Sequence, residues 1–119
     1  IKEKVALHAK KGYGFGIITR FLLENPRVIS VITIEKYQEV IDKMKEFGEI
    51  YGKVIMGDFY EFSDDRKYDC IVGDICAEIY QRFLNDYKMF KKKSQKLVKS
   101  DGLILAWGKD YFEYLLEKE

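Results

Sequence analysis

The run Val28-Ile29-Ser30-Val31-Ile32-Thr33-Ile34 is apolar on both of the faces that a strand presents. A strand with one side in water alternates apolar and polar side chains, so this run reads as a central strand of a parallel sheet covered on both faces. Parallel neighbours need long crossovers, usually helical. The flanking sequence supplies them. Before the run, Ile17, Ile18, Phe21, Leu22 and Leu23 make a helical stripe that Asn25-Pro26 terminates. After it, Tyr37, Val40, Ile41, Met44 and Phe47 recur at helical spacing up to a stop at Gly48.

The same alternation extends along the chain. Val5 to Ala9 reads as a first short strand, Lys53 to Met56 as a third and Tyr68 to Asp74 as a fourth. A helix is expected from Ile79 to Val98, with Ile79, Phe83, Tyr87, Phe90, Leu97 and Val98 inward; Lys91 to Lys93 break its stripe and leave room for a second short helix at its end. Asp101-Gly102 then reads as a turn into a fifth strand, Leu103 to Trp107, and Asp110 as the cap of a last helix with Tyr111, Tyr114 and Leu115 inward. Five strands alternating with helices imply right-handed crossovers and a three-layer α/β domain covering residues 1–119.

Composition narrows the function classes. Lys and Arg number 21 against 20 Asp and Glu, so no overall field favours nucleic acid or an anionic membrane. No apolar stretch approaches the roughly 20 residues of a membrane span, and a cytoplasmic location is expected. Cys70 and Cys76 with the single His8 make neither a disulfide framework nor a zinc set, so no metal is expected. The chain opens on Ile1 without a methionine, which points to an upstream piece. The lysines at 88, 91, 92, 93 and 96 read as a solvated helix face, His8 and Cys70 as packed residues, and Tyr80, Phe83, Tyr87 and Phe90 as core.

In parallel α/β sheets ligands bind outside the carboxyl ends of the strands. Gly12, Gly14 and Gly16 lie between the first strand and the first helix, where bare backbone lets a ligand approach and the helix start favours anionic groups. Glu35 ends the second strand about 20 residues further on, where nucleotide-binding turns place an acid for ribose hydroxyls. Its alternative role is a helix-start acid. Asp58 ends the third strand after Gly57, as a base-binding acid or as an Asx turn, and Phe59 offers ring or backbone to a base. Asp74 ends the fourth. Glycine or acid thus recurs at successive strand ends.

With these residues, "GYGFGIIT", "VITIE", "VIMGDF", "KYDCIVGD" and "LVKSDGLILAW", the chain resembles the Rossmann-like S-adenosylmethionine-dependent methyltransferases and their relatives the spermidine synthases. The resemblance implies strand order 3-2-1-4-5, without the family's last two strands. It implies S-adenosylmethionine as cofactor, with Gly12, Gly14 and Gly16 along its methionine and ribose, Glu35 on the ribose hydroxyls, Asp58 and Phe59 at the adenine, and Asp74 beside the transferred group. Methyl transfer to an unidentified acceptor is the expected reaction. Lys10 stands where the family commonly has an acid. Three other readings stay open: aminopropyl transfer, a nicotinamide dinucleotide domain, and a reduced, non-catalytic domain that binds a partner chain. The missing strands would leave the fifth strand as an open edge, for which a second copy or another chain is the expected cover.

Overall fold

The computed structural model describes residues 17–73, 81–106 and 108–119. The expected first strand at residues 5–9, the glycine turn and Trp107 lie outside the described residues.

Helix α1 (Ile17–Leu23) ends where Asn25 turns the chain, its side chain accepting the Arg27 amide at 2.9 Å. Strand β1 (Ile32–Glu35) is buried at all four positions, as expected of a central strand. It starts later than the apolar run does. Its parallel partner β2 (Lys53–Met56) pairs Ile32 with Lys53 through Glu35 with Met56, and only the Lys53 amide to the Val31 carbonyl, 3.0 Å, extends the ladder backwards. Beyond it, Gly52 turns the chain away with φ 69°, close enough that a β-carbon there would stand 2.8 Å from the Val31 oxygen.

Helix α2 (Gln38–Phe47) closes on Gly48 as its sequence requires. Met44 is its buried residue, whereas Tyr37 and Phe47, which share its helical spacing, are exposed.

Strand β3 (Tyr68–Gly73) pairs in parallel with β4 (Val98–Ala106). Between the paired positions Tyr68↔Val98 and Cys70↔Leu103 the register shifts, so the expected turn at Asp101-Gly102 is instead a bulge within a longer strand. A β-carbon at Gly102 would stand 2.5 Å from Val98 Cγ2 and 2.8 Å from the Asp69 oxygen, which is why glycine fits there. Helix α3 (Leu84–Leu97) follows a 3₁₀ turn at Gln81–Phe83 and runs unbroken through Lys91 to Lys93. Lys91 pairs with Glu113, 2.5 Å away, and the helix continues to Leu97 as one element without the expected second short helix. In α4 (Lys109–Glu117) Gly108 occupies the cap position and Asp110 lies in the first turn. Phe112 is its buried residue, stacked on Tyr87 at 5.2 Å, and Leu115 packs against the same core as expected, while Tyr111 and Tyr114 are 38% and 54% exposed. That stacking fixes the rotation of α4 and turns both tyrosines outward.

Two apolar clusters show the layering. Ile71 joins Ile32, Ile34, Phe59, Tyr87, Phe90 and Phe112, while its neighbour Val72 packs with Val28, Val31, Leu22 and Leu23. Successive strand residues point to opposite faces, so helices α3 and α4 cover one face of the strands and α1 meets the other. Thr33 of β1, opposite in direction to Ile32 and Ile34, likewise lies 3.4 Å from Thr19 of α1. Of the expected strand order, the neighbours 2–3 and 4–5 correspond to β1–β2 and β3–β4. The strand expected to join the pairs, at residues 5–9, lies outside the described residues. No helix among the described residues is long and apolar enough to cross a membrane.

The loop into β3 carries a polar anchor. Asp64 accepts the Tyr68 hydroxyl, the Arg66 amide at 2.9 Å and the Arg66 guanidinium at 3.2 Å. The Tyr68 hydrogen bond, with those from Arg66, lowers the Asp64 pKa from 3.8 to about 2. Burial, with the Asp64 charge beside it, pushes Tyr68 up to about 12. The unfolded chain therefore takes up the Asp64 proton first on acidification, and the anchor's contribution, complete above about pH 4, is lost as pH falls toward 2. Urea midpoints at pH 7 and pH 2.5 should converge between the native protein and Asp64→Asn at the lower pH and separate at the higher; equal separation at both would refute the anchor.

Candidate functional site

The carboxyl ends of β1 and β2 lie side by side. Glu35 stands opposite Met56, and the Gly57 amide continues the ladder by donating to the Glu35 carbonyl at 2.8 Å. The Glu35 side chain turns into the protein and is 0% exposed. Its Oε2 accepts the Tyr37 amide at 2.9 Å, which fixes the carboxylate at the mouth of the β1–α2 turn. A buried carboxylate needs such donors, because an unpaired one is strongly penalised away from water.

Asp58 follows Gly57 at the end of β2. One carboxylate oxygen accepts the Tyr60 amide at 2.8 Å, and the Glu61 amide donates to the Asp58 carbonyl at 3.0 Å. The Asx turn weighed from the sequence is therefore present, and it uses one of the two side-chain oxygens. Phe59 is 1% exposed, edge-on to Tyr60 and packed on Phe90, each with centroids 5.6 Å apart. Of the two surfaces expected of Phe59, the ring is spent in the core, a correction to its reading as an aromatic platform; only its backbone remains for a ligand. Between the two acids, Gly57 borders open space: a β-carbon built there meets no atom within 4 Å.

The end of β3 is the opposite case. At Gly73 a β-carbon would stand 2.4 to 2.5 Å from three ring carbons of Phe90. Glycine is required there by packing. The residue that follows, Asp74, and Gly12, Gly14, Gly16 and Lys10 lie outside the described residues, so the structure brings together Glu35, Asp58 and the Phe59 backbone from the expected set. Sequence reading passed over the open side of Gly57 and the role of Phe90. One signal was available: both β2 and β3 run into Gly-Asp, at Gly57-Asp58 and Gly73-Asp74.

No family model matches the sequence, and neither does any curated protein. Solved structures match in fold. A S-adenosylmethionine-dependent methyltransferase from Clostridium acetobutylicum ATCC 824 is 18% identical, with TM-score 0.57 over 85% of this chain and 42% of its own. The DhpI-SAM-HEP complex is 16% identical, with TM-score 0.61 over 98% of this chain and 54% of its own. The plantazolicin methyltransferase BpumL, in complex with a pentazolic desmethylPZN analog and SAH, gives 16% and 0.61 over 99% of this chain and 45% of its own. The fold is that of the Rossmann-like S-adenosylmethionine-dependent methyltransferases. This chain spans between 42% and 54% of the length of these three structures, about half. Seen in the methyltransferase fold, β1 and β2 are neighbouring parallel strands whose ends carry Glu35 and Asp58 to one edge.

Proposed function

We propose that this chain binds S-adenosylmethionine at the carboxyl ends of its strands and forms the cofactor-binding part of a methyltransferase. The observation that carries the reading is the likeness of its fold to structures solved with S-adenosylmethionine or S-adenosylhomocysteine. The donor set agrees with it. A carboxylate at one strand end, a second on the next strand and bare backbone between them suit a ribose diol and the edge of a purine.

In this reading Glu35 accepts hydrogen bonds from the ribose hydroxyls. The Tyr37 amide already holds the carboxylate in place, so little conformational freedom is lost on binding. Glu35 is wholly screened from solvent, so its carboxylate must become accessible for the ribose to reach it. The Gly57-Asp58-Phe59 backbone lies along the adenine, with Asp58 accepting from its amino group, and Gly12, Gly14 and Gly16 border the methionine. The cofactor, when bound, supplies an electrophilic methyl group on a sulfonium centre. Asp74 orients the acceptor by taking a hydrogen bond from the group to be methylated. Alignment and exclusion of water supply most of the rate, so few acid-base groups are needed.

Gly57 gives the sharpest test, since a side chain there meets no protein atom but enters the space assigned to the adenine. S-adenosylhomocysteine titrated calorimetrically should bind saturably, NAD should not, and Gly57→Leu should keep the native melting temperature while weakening affinity by at least about tenfold through steric exclusion. Unchanged affinity in Gly57→Leu would displace the adenine from β2. No binding by the native protein would remove the cofactor reading altogether.

A further inference from the structure

Phe90 touches both of the strand ends at which the site is built. It stands in the middle of α3, wholly buried. Toward β3 its ring tip lies against Gly73, where only a missing side chain leaves room for it. Toward β2 the ring packs on Phe59 at a 42° tilt, and Phe59 is the residue next to Asp58 in the turn held by the Tyr60 amide. Among the described residues the β1–β2 and β3–β4 ladders share no hydrogen bond, and Phe90 is a side chain that packs on both of these ends.

We propose that Phe90 is a positioning residue whose ring sets the spacing between the Asp58 turn and the carboxyl end of β3, and through that spacing the affinity for the cofactor. The proposal rests on the S-adenosylmethionine reading. Its physical basis is close packing: interiors of this density answer the loss of a few ring atoms with a void or a shift of the surrounding backbone. The hydrogen bonds seen in the Asp58 turn among the described residues are local ones, from the Tyr60 amide to the Asp58 side chain and from the Glu61 amide to its carbonyl. A general structural role would be shared by any buried aromatic of similar size. Phe112 provides the comparison, since it is equally buried and stacks on Tyr87 in the contact between α3 and α4.

The test compares Phe90→Leu with Phe112→Leu in the full chain, at a temperature where circular dichroism shows both folded. Phe90→Leu should weaken S-adenosylhomocysteine binding about tenfold and speed hydrogen exchange of the Tyr60 amide by a similar factor, while Phe112→Leu leaves both within about twofold. Phe90→Met, which refills most of the ring's length, should recover most of each loss. Equal effects of the two leucine variants on both readouts, or none, would overturn the proposal. Should the native protein bind no S-adenosylhomocysteine, the cofactor reading fails, and Tyr60 exchange decides the spacing role by itself: faster exchange in Phe90→Leu alone upholds it, unchanged exchange removes it.

Discussion

Gly73→Ala is expected to destabilise the protein by about 3 kcal/mol, the upper part of the range for overpacking a close-packed core. The added carbon would stand 2.4 to 2.5 Å from three carbons of the Phe90 ring, well inside van der Waals contact. Relief is expensive in every direction. Phe90 is wholly buried and has Phe59 on its flank, so the ring has no solvent to swing into, and β3 is held along its length by the ladder to β4. For a domain of this size the loss should appear as a fall in melting temperature of roughly 10 °C. Combining Gly73→Ala with Phe90→Leu should cost less than the sum of the two, because the smaller side chain vacates the overlapping volume. Urea denaturation of the four proteins measures this directly. A Gly73→Ala variant within about 1 kcal/mol of the native protein would mean that the ring does not rest against β3.

Glu35→Gln should separate binding from folding. The amide still presents an oxygen to the Tyr37 amide, so the turn that this hydrogen bond holds should keep most of its stability. Affinity should not hold. Hydrogen bonds to a charged acceptor are worth about 1.5–3 kcal/mol, so exchanging the carboxylate for a neutral amide at the ribose should weaken S-adenosylhomocysteine binding by roughly ten- to a hundredfold. Glu35→Ala also strands the Tyr37 amide and leaves a cavity, and should abolish measurable binding at the cost of stability. Isothermal titration with thermal melts of the same samples resolves the two effects. Loss of stability without loss of affinity in Glu35→Gln would make Glu35 a structural acid of the β1–α2 turn.

Much of the fold was legible because burial on both faces writes itself into composition. Ile32 to Ile34 and Cys70 to Val72 are strands that no amphipathic pattern would explain, and the Gly48 stop and the core positions Tyr87 and Phe90 followed from spacing. What failed depended on partners distant in sequence. In α4 the aromatics at 111, 112 and 114 fit two helical stripes equally well; only the stacking of Phe112 on Tyr87 chooses between them. Asp101-Gly102 has the composition of a turn, and only its pairing with β3 shows it to be a bulge. At the site, the strand-end acids Glu35 and Asp58 could be read from position. The direction of the Phe59 ring could not, since it is settled by Phe90 on a helix that arrives later in the chain.

The contact between Glu35 and the ribose is the claim that joins sequence, fold and proposed function, and a thermodynamic cycle tests it most directly. Native protein and Glu35→Gln would each be titrated with S-adenosylhomocysteine and with its 2′,3′-dideoxy analogue. If the carboxylate holds the diol, removing either partner removes most of the interaction, and the second removal adds little: a coupling of at least about 1 kcal/mol. Strictly additive losses would place the ribose away from Glu35 and contradict the assignment of this strand end as the cofactor site.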